Sequence, residues 1–132
     1  EKNWGAWTLD FRPDFTAKES GLDFFIDWNK DFIGKESAKK DKSKLKLTPL
    51  IIETEDIDVT NNEAVVKDGK SIGYITSGGF AHHVKKSVAY SYLDEEILKT
   101  NEKFQVEING NFYNTIIIKE PLYDPHGTKM RS

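Results

Sequence analysis

The chain has 132 residues, of which 37% are hydrophobic and 12% aromatic, and this length and composition predict one domain with a core of its own. The net charge of −3 and the pI near 5.6 argue against nucleic acid as a partner, because binding to phosphates needs a cationic surface. Cysteine is absent, which excludes disulfides, thiolate metal sites and thiol nucleophiles.

The chain begins with Glu1-Lys2-Asn3-Trp4, without an initiating methionine or a signal-peptide-like apolar run. Further along, no apolar run reaches the roughly 18 residues that a membrane-spanning helix needs. We therefore expect no membrane partner, and we interpret the chain as a soluble fragment whose natural N-terminus lies upstream.

The first 43 residues predict little regular structure. Residues 1–22 show no sustained period and Pro13 indicates a turn, so this part is predicted to be an extended arm or loop. The aromatic and β-branched residues of 22–28 predict a strand or the edge of a cluster, packed in either case. After Gly34, the helix-forming residues 35–40 predict a short helix.

The rest of the chain predicts strands. Pro49 indicates a sheet edge or a bulge in the first of them. The dipeptides Asp68-Gly69 and Asn109-Gly110 indicate tight hairpin turns, because both tolerate the positive φ that such turns need. These signals predict a mainly β fold, a small closed or nearly closed antiparallel barrel. Its predicted strands lie at 45–52, 63–66, 71–75, 87–93, 104–108 and 112–118.

Residues 87–99 predict a strand that leads into a helix. Asp94 is suited to cap a short helix through Lys99, with two further acidic residues where a helix N-terminus favours them. The strand alternates between two faces, one with Val88, Tyr90 and Tyr92 and the other with Ala89, Ser91 and Leu93.

Two segments resemble one known family. Gly73-Tyr74-Ile75-Thr76-Ser77-Gly78, followed by Lys85-Lys86-Ser87-Val88-Ala89, resembles the G-x-[IV]-T-S-G…K-K-[SN]-[IV]-A signature of glycine-cleavage T-proteins and folate-dependent aminomethyltransferases. Asp31-Phe32-Ile33-Gly34-Lys35-Glu36 resembles the D-F-I-G-[KR]-E signature of the same C-terminal region. The ending, Pro121-Leu122-Tyr123-Asp124-Pro125 with Met130-Arg131, is similar to that of the dimethylglycine and sarcosine dehydrogenase branch.

The resemblance implies a Greek-key barrel that packs against an upstream folate-binding domain of the same parent protein. Residues 1–43, the arm and short helix, would be the tail end of that upstream body, and residues 44–132 would be the barrel with its C-terminal tail. In relatives a one-carbon unit passes from an amine or iminium to tetrahydrofolate, with the essential acidic group on the upstream domain. We therefore expect this chain to help close a shared tetrahydrofolate site without catalysing by itself.

The resemblance also implies three folate-binding positions. Phe24 would stack on the ligand or wall its pocket, Tyr123 would offer a hydroxyl, and Arg131 would be suited to a carboxylate by its bidentate geometry. Any FAD would belong to the parent protein alone. We expect a cytoplasmic location, or the mitochondrial matrix if the protein is eukaryotic.

Several residues invite other chemistry. His82 and His83 would diverge in a strand, so a strand corner or a domain-contact loop is favoured over a metal site. Gly78-Gly79 predicts a bend, because no phosphate-loop pattern follows it. Ser77, His82 and Asp94 have hydrolase-triad residue types, but they lack the nucleophile-elbow pattern. The lysines of 35–46 are typical of a solvated face, with a channel for an anionic ligand such as a polyglutamyl tail as the alternative.

Five aromatic residues near the N-terminus exceed what a small barrel needs for closure. We expect them to bury against the upstream domain or a second copy of the chain, and to be partly exposed when this chain stands alone. They are Trp4, Trp7, Phe24, Phe25 and Trp28.

Two other functions stay open. One is a plain interaction barrel whose role is docking. The other is a folate-binding protein of the iron–sulfur assembly type, whose K-G-C-[YF]-x-G-Q-E signature would fall on residues 30–36, where Asp31 stands in place of the cysteine.

Overall fold

A computed structural model describes residues 1–100 and 103–132. The helices are a 3₁₀ helix at Asp23–Phe25, α1 at Lys35–Lys39 and α2 at Glu95–Lys99. The strands are β1 at Leu45–Ile52, β2 at Ala64–Lys67, β3 at Lys70–Ala81, β4 at Lys86–Asp94, β5 at Gln105–Ile108 and β6 at Asn111–Ile117. No helix within these described ranges is long and apolar enough to cross a membrane.

The six strands form a closed antiparallel barrel in the order β1-β4-β3-β2-β5-β6, with β6 paired back onto β1. The hairpin-connected strands β2, β3 and β4 lie side by side, and β1 lies next to β4, which is a Greek-key arrangement. The predicted barrel is confirmed. Closure gives each strand two neighbours, although β1 pairs with β6 only over Leu50–Ile52.

Both predicted hairpin turns are confirmed. Asp68 and Gly69 join β2 to β3 with φ of 50° and 73°, and Asn109 and Gly110 join β5 to β6 with φ of 50° and 80°. Two successive positive φ values are the mark of a type I′ turn, whose twist matches that of the flanking strands. The turn residues therefore set the register of both hairpins.

Replacing Gly110 by valine should lower the free energy of unfolding by about 1–3 kcal/mol, because a β-branched side chain is strained at positive φ. An added Cβ would meet no neighbour within 4 Å, so the effect isolates backbone strain. Urea unfolding followed by tryptophan fluorescence measures it. Asn111→Val, at an exposed position of β6, is the matched control and should change little. An unchanged midpoint for Gly110→Val would contradict the argument.

One face of each strand points into the barrel interior. On β4, Ala89, Ser91 and Leu93 point inward and are buried, and Val88 and Tyr90 lie on the outer face, as the alternation predicted. Apart from the buried hydroxyl residues Thr48, Ser87 and Ser91, the interior is mainly aliphatic, and among the described residues Phe104, just before β5, adds a buried aromatic ring. Its fully or nearly fully buried members include Leu50, Ile52, Val59, Val65, Ile75, Leu93, Phe104, Val106 and Ile108.

Pro49 lies at no bulge, because β1 and β4 keep an unbroken register through the pair of Pro49 and Tyr90. It lies where the pairing of β1 with β6 stops, since that pairing covers only Leu50–Ile52, so the predicted edge is present locally. The carbonyl of Pro49 accepts a hydrogen bond from the N–H of Ile118 at 2.9 Å, just past the end of β6. In an antiparallel strand the nitrogen and carbonyl of one residue face the same side. Pro49 therefore cannot return a bond to Ile118, and the β1–β6 ladder ends at this pair.

Both short α-helices are confirmed, and the side chain of Asp94 caps α2 by accepting from the N–H of Glu96 at 2.8 Å. The strand predicted within 22–28 is wrong, because Asp23–Phe25 is a 3₁₀ helix. The expected packing of this stretch is wrong for Phe24 and Phe25, which are 73% and 74% exposed. Local backbone bonds form this turn, since the N–H of Phe25 donates to the Leu22 carbonyl at 3.1 Å and the N–H of Ile26 donates to the Asp23 carbonyl at 3.0 Å.

Candidate functional site

The N-terminal arm, residues 1–22, lies against the outer face of the barrel through a buried carboxylate. Asp10 is fully buried, and its carboxylate accepts hydrogen bonds from the N–H of Ala6 at 2.6 Å, from the Ser77 hydroxyl at 2.7 Å and from the Thr76 hydroxyl. We call these four residues the Asp10 cluster. The arm is irregular, and a turn closes at Pro13 as predicted, since the N–H of Phe15 donates to the Arg12 carbonyl at 3.2 Å.

A β-bulge explains how two adjacent hydroxyls reach one carboxylate. Side chains alternate along a regular strand, so neighbours would point to opposite faces. The register of β3 against β4 shifts between Ile75 and Ser77, and the extra residue is Thr76. A bulge re-aims side chains in this way. The Thr76-Ser77 pair in the family motif thus holds the arm.

The arm is also tied to the barrel through Tyr92. Its hydroxyl donates to the backbone carbonyl of Asp10 at 2.7 Å and lies 2.8 Å from the hydroxyl of Ser20, which is then the donor in that second bond. The Phe15 ring stacks on the Tyr92 ring with centroids 3.5 Å apart. Nearby, the carbonyl of Glu19 accepts from the N–H of Leu47 on β1 at 2.7 Å. These contacts fix residues 10–20 on the outer face of β1, β3 and β4.

A groove of about 970 Å³ lies between this N-terminal segment and the β1–β6 side of the barrel. One wall carries three aromatic side chains, Trp4, Phe24 and Phe25, which we call the aromatic wall. Trp4 is 70% exposed, and the rings of Phe24 and Phe25 lie 4.0 Å apart. The lysines that line the groove are Lys46, Lys103 and Lys119. The groove therefore combines aromatic surface with cationic groups.

A second cavity of about 430 Å³ lies between the chain start and the β3–β4 corner. Glu1, Trp4, Phe80 and His82 line it together with Tyr90. The Tyr90 hydroxyl is buried without a hydrogen-bond partner in the described part of the chain. Burial raises the pKa of this phenol, and the Asp10 carboxylate raises it further. Because its pKa is raised, the phenol stays protonated at neutral pH. Tyr90 lines both cavities.

The C-terminal tail returns to the beginning of the chain. Lys2 donates to the carboxylate of Asp124 at 2.9 Å, and the N–H of Tyr123 donates to the Glu1 carbonyl at 3.1 Å. The Tyr123 ring packs edge-on against His83, with centroids 4.0 Å apart. The ammonium of Lys2 also lies 5.5 Å from the Tyr123 ring centroid. Both chain ends therefore meet beside the β3–β4 turn.

The Lys2–Asp124 pair should titrate at unusually low pH. The hydrogen bond from Lys2 lowers the pKa of Asp124 from 3.8 to about 2, against the opposing effect of burial. A folded pKa below the unfolded one favours the charged form in the folded chain, so the pair is complete above about pH 4 and is lost as the pH falls through about 2. Carboxyl carbon NMR of Asp124 measures its midpoint.

The variant Lys2→Gln should move that midpoint up toward 3.8. Lys30→Gln removes an exposed lysine that pairs with Asp27 at 3.8 Å, and it should leave the midpoint unchanged. An Asp124 midpoint near 4 in the wild type would contradict the proposed pairing.

The structure separates the three residues expected at a folate site. Phe24 lines the groove, whereas Tyr123 lies in the terminal contact with Lys2, and Arg131 is exposed on the tail. Among the described residues, no hydrogen bond or ring contact joins Phe24 to either of the other two. Their role in folate binding stays a prediction. The sequence does not indicate the role of Asp10. Acidic residues between two apolar ones are common, so the pattern Leu9-Asp10-Phe11 carries no signal.

The other candidate groups have structural roles. His82 and His83 lie in the β3–β4 turn, and the N–H of His83 donates to the Glu1 carboxylate at 2.6 Å, so the expected corner is confirmed. Ser77 bonds to Asp10 and Asp94 caps α2, so they form no triad with His82. The predicted bend at Gly78-Gly79 is wrong, since both residues lie inside β3. Within the described ranges, no three His, Cys, Asp or Glu side chains are grouped to hold a metal ion.

The aromatic residues of the N-terminal segment are exposed, as expected for this chain alone. Lysines of 35–46 are also mostly exposed, in agreement with a solvated face, although Lys46 borders the groove. The exposed aromatic set is Trp4, Trp7, Phe24, Phe25 and Trp28, and Ile33 on the same segment is exposed as well. Exposed apolar side chains in such number are typical of interaction surfaces and ligand-binding grooves.

Comparison with known proteins extends these observations. Mitochondrial dimethylglycine dehydrogenase of Homo sapiens is 35% identical over 136 aligned residues, which cover 99% of this chain and 16% of the relative. Aminomethyltransferase of Thermotoga neapolitana is 33% identical over 93% of this chain and 34% of its own length. This chain thus spans only a minor part of the relatives that it matches.

A solved structure agrees on the fold. Glycine cleavage system aminomethyltransferase T from Bartonella henselae superposes with a TM-score of 0.79 over 94% of this chain and 36% of that chain, at 19% identity. Residues 46–124 match the family described as glycine cleavage T-protein C-terminal barrel domain, and they include all six strands apart from the first residue of β1. The chain therefore belongs to the glycine cleavage T-protein C-terminal barrel family.

Proposed function

We propose that this chain is the C-terminal barrel of a folate-dependent aminomethyltransferase or a dimethylglycine- or sarcosine-type demethylating dehydrogenase. Its role is to help close a tetrahydrofolate site that it shares with an upstream folate-binding domain, and it does not catalyse alone. The observation that carries the proposal is the groove, which is lined by both exposed aromatic and lysine side chains. Family membership supports the same role.

The residues of the groove fit the chemistry of a reduced folate. Flat heteroaromatic rings stack well on exposed aromatic side chains, and Phe24 and Phe25 offer such surface. Folate carboxylates are anionic, and Lys46, Lys103 and Lys119 supply cationic partners. A groove of about 970 Å³ lies at the upper end of the size that small-molecule sites have. It is open to solvent, which fits a site that needs a second wall.

Tyr123 and Arg131 are proposed as polar contacts from the tail. The pairing of Lys2 with Asp124 holds the tail beside the segment that leads to Trp4, and Trp4 lines both cavities. Arg131 is free to orient because its side chain is exposed. Its planar guanidinium can bind a carboxylate with two parallel hydrogen bonds.

The reaction itself would depend on groups outside this chain. Tetrahydrofolate, when bound, supplies the acceptor for a one-carbon unit. The side chains of this barrel would orient the ligand and exclude water from one side of it. The Tyr90 phenol stays neutral, so it offers a hydrogen bond rather than a charge among the residues that line both cavities. Any FAD would be bound by the parent protein alone.

The isolated chain should bind tetrahydrofolate weakly or not at all, whereas the complete gene product should bind it. A split pocket loses the orientation and desolvation that the missing wall supplies. In the complete gene product, Arg131→Ala should weaken binding by about 1.5–3 kcal/mol, or roughly ten- to a hundred-fold. Isothermal titration calorimetry with reduced folate measures both comparisons.

The groove is tested by Phe24→Ala in the complete gene product, which should also weaken binding. Phe112→Ala is the matched control, because Phe112 is 53% exposed on β6 and lies outside the groove. Micromolar binding by the isolated chain would contradict the split pocket. Equal affinity of Arg131→Ala and wild type would remove the tail from the site.

A second candidate, an interaction barrel, is favoured by the exposed aromatic set alone. It predicts that the complete gene product binds no folate and that the aromatic residues are covered by a partner or by a second copy of the chain. The same calorimetry therefore separates the two functions.

The proposed compartment is the cytoplasm, or the mitochondrial matrix if the protein is eukaryotic, and two relatives in rat and mouse are named as mitochondrial.

A further inference from the structure

Asp10 is a buried anion whose partners are all hydrogen-bond donors. In the part of the chain that the structure describes, no lysine, arginine or histidine pairs with its carboxylate. A buried carboxylate is stable only where donors satisfy it. One donor, the Ala6 N–H, belongs to the arm, and the Thr76 and Ser77 hydroxyls belong to the barrel. The Asp10 carboxylate therefore connects the arm to β3.

The connection continues to the aromatic wall. The Asp10 carbonyl accepts from Tyr92, and the same Tyr92 hydroxyl contacts Ser20. Ser20 lines the groove together with Phe24, four residues further along the chain. On the other side of Asp10, Ala6 lies two residues after Trp4, the remaining member of the wall. Both halves of the wall are thus attached to the barrel close to Asp10.

We propose that Asp10 is a positioning residue for the folate site. It does not line the groove, and it acts by fixing the arm on the bulge of β3, so that the aromatic wall keeps its place in the groove. The ligand, tetrahydrofolate, rests on the proposed function. The contact that Asp10 makes between the arm and β3 does not depend on it.

Asp10→Asn is the informative substitution because it keeps the shape and removes the charge. An amide has one acceptor oxygen and one NH2 group, so one of the two carboxylate positions becomes a donor. The amide oxygen can keep the bond from the Ala6 N–H, with the NH2 group turned toward the Thr76 and Ser77 hydroxyls, which can rotate to accept. The variant therefore replaces charge-assisted bonds by weaker neutral ones, which loosens the arm and leaves the barrel ladder intact.

Hydrogen exchange measured by mass spectrometry on the complete gene product tests the contact. In Asp10→Asn, amides of residues 3–25 should exchange about ten-fold faster or more, with β3 and β4 unchanged. The dissociation constant of tetrahydrofolate should rise about ten-fold or more in parallel. Asp14→Asn is the matched control, since Asp14 is an exposed aspartate of the same arm, paired with Arg12 at 3.0 Å. Ser77→Ala should act in the same direction as Asp10→Asn and more weakly.

Arm exchange in Asp10→Asn equal to that of Asp14→Asn would overturn the inference. So would a loosened arm with unchanged tetrahydrofolate affinity, because the wall would then not depend on Asp10. Faster exchange throughout β3 and β4 would show a role in folding instead, and it would also overturn the positioning role. Failure of the wild-type protein to bind tetrahydrofolate would refute the proposed function, and the exchange comparison would still decide whether Asp10 fixes the arm.

Discussion

Replacing Leu50 by alanine should lower the free energy of unfolding by about 2–5 kcal/mol. Leu50 is fully buried in the barrel interior, and it sits on β1, which pairs with both β4 and β6. Removing the γ carbon and its two methyl groups loses their transfer free energy and leaves a cavity that a closed barrel cannot easily collapse. Urea unfolding followed by tryptophan fluorescence measures the change.

Leu45→Ala is the matched control for Leu50→Ala. It makes the same chemical change at the start of the same strand, where the side chain is 36% exposed. We expect less than about 1 kcal/mol there. Similar losses at both positions would show that the interior repacks around the missing side chain, contrary to the expectation for Leu50.

Replacing Gly78 by valine should destabilise the fold by about 3 kcal/mol, at the upper end of what overpacking costs. A Cβ on Gly78 would lie 2.8 Å from a methyl group of Val59 and 2.9 Å from the carbonyl oxygen of Val59. The methyl group can move, but the backbone of the connection between β1 and β2 must shift to relieve the second contact.

Gly79→Val is a control one residue away on the same strand. An added Cβ on Gly79 meets nothing within 4 Å, and its φ is not in the positive region. Valine favours strands, so this variant should be close to neutral in a urea titration. A loss at Gly79 as large as at Gly78 would show that strand flexibility, and not the close approach of Val59, requires these glycines.

The local features of the barrel could be predicted from the sequence. The dipeptides Asp68-Gly69 and Asn109-Gly110 carry their own backbone preference, and Asp94 carries its own capping acceptor. Alternation along β4 depends only on the strand period. In each case the physical cause lies within a few residues, which is why short patterns sufficed and why the closed barrel was predicted.

The features that short patterns do not determine depend on distant partners. Pro49 is tolerated in β1 because its nitrogen faces the end of β6, which lies some 70 residues further along the chain. Residues 22–28 have strand-like composition, yet Asp23–Phe25 forms a 3₁₀ helix outside the six-stranded barrel. Gly78 is required by Val59, which belongs to the preceding connection, and not by a bend.

The candidate site divides in the same way. Family motifs in the sequence indicated a folate-linked barrel and singled out Thr76-Ser77 and Phe24, because motif residues are recognised by their order alone. The separation of Phe24 from Arg131, and the meeting of lysines and aromatic side chains in one groove, depend on how the arm and the tail pack on the barrel. No short pattern encodes that packing.

By itself the sequence determined the strands, the two hairpin turns, the capped helix and the family, since propensity, turn chemistry and motif order are local properties. Only the tertiary structure decided what the Thr76-Ser77 pair of the motif does. The bulge of β3 turns both hydroxyls toward Asp10, a residue 66 positions away from Thr76, and burial makes that carboxylate depend on them. Such a contact is set by the pairing of distant strands and by exclusion of water, and both exist only in the folded chain.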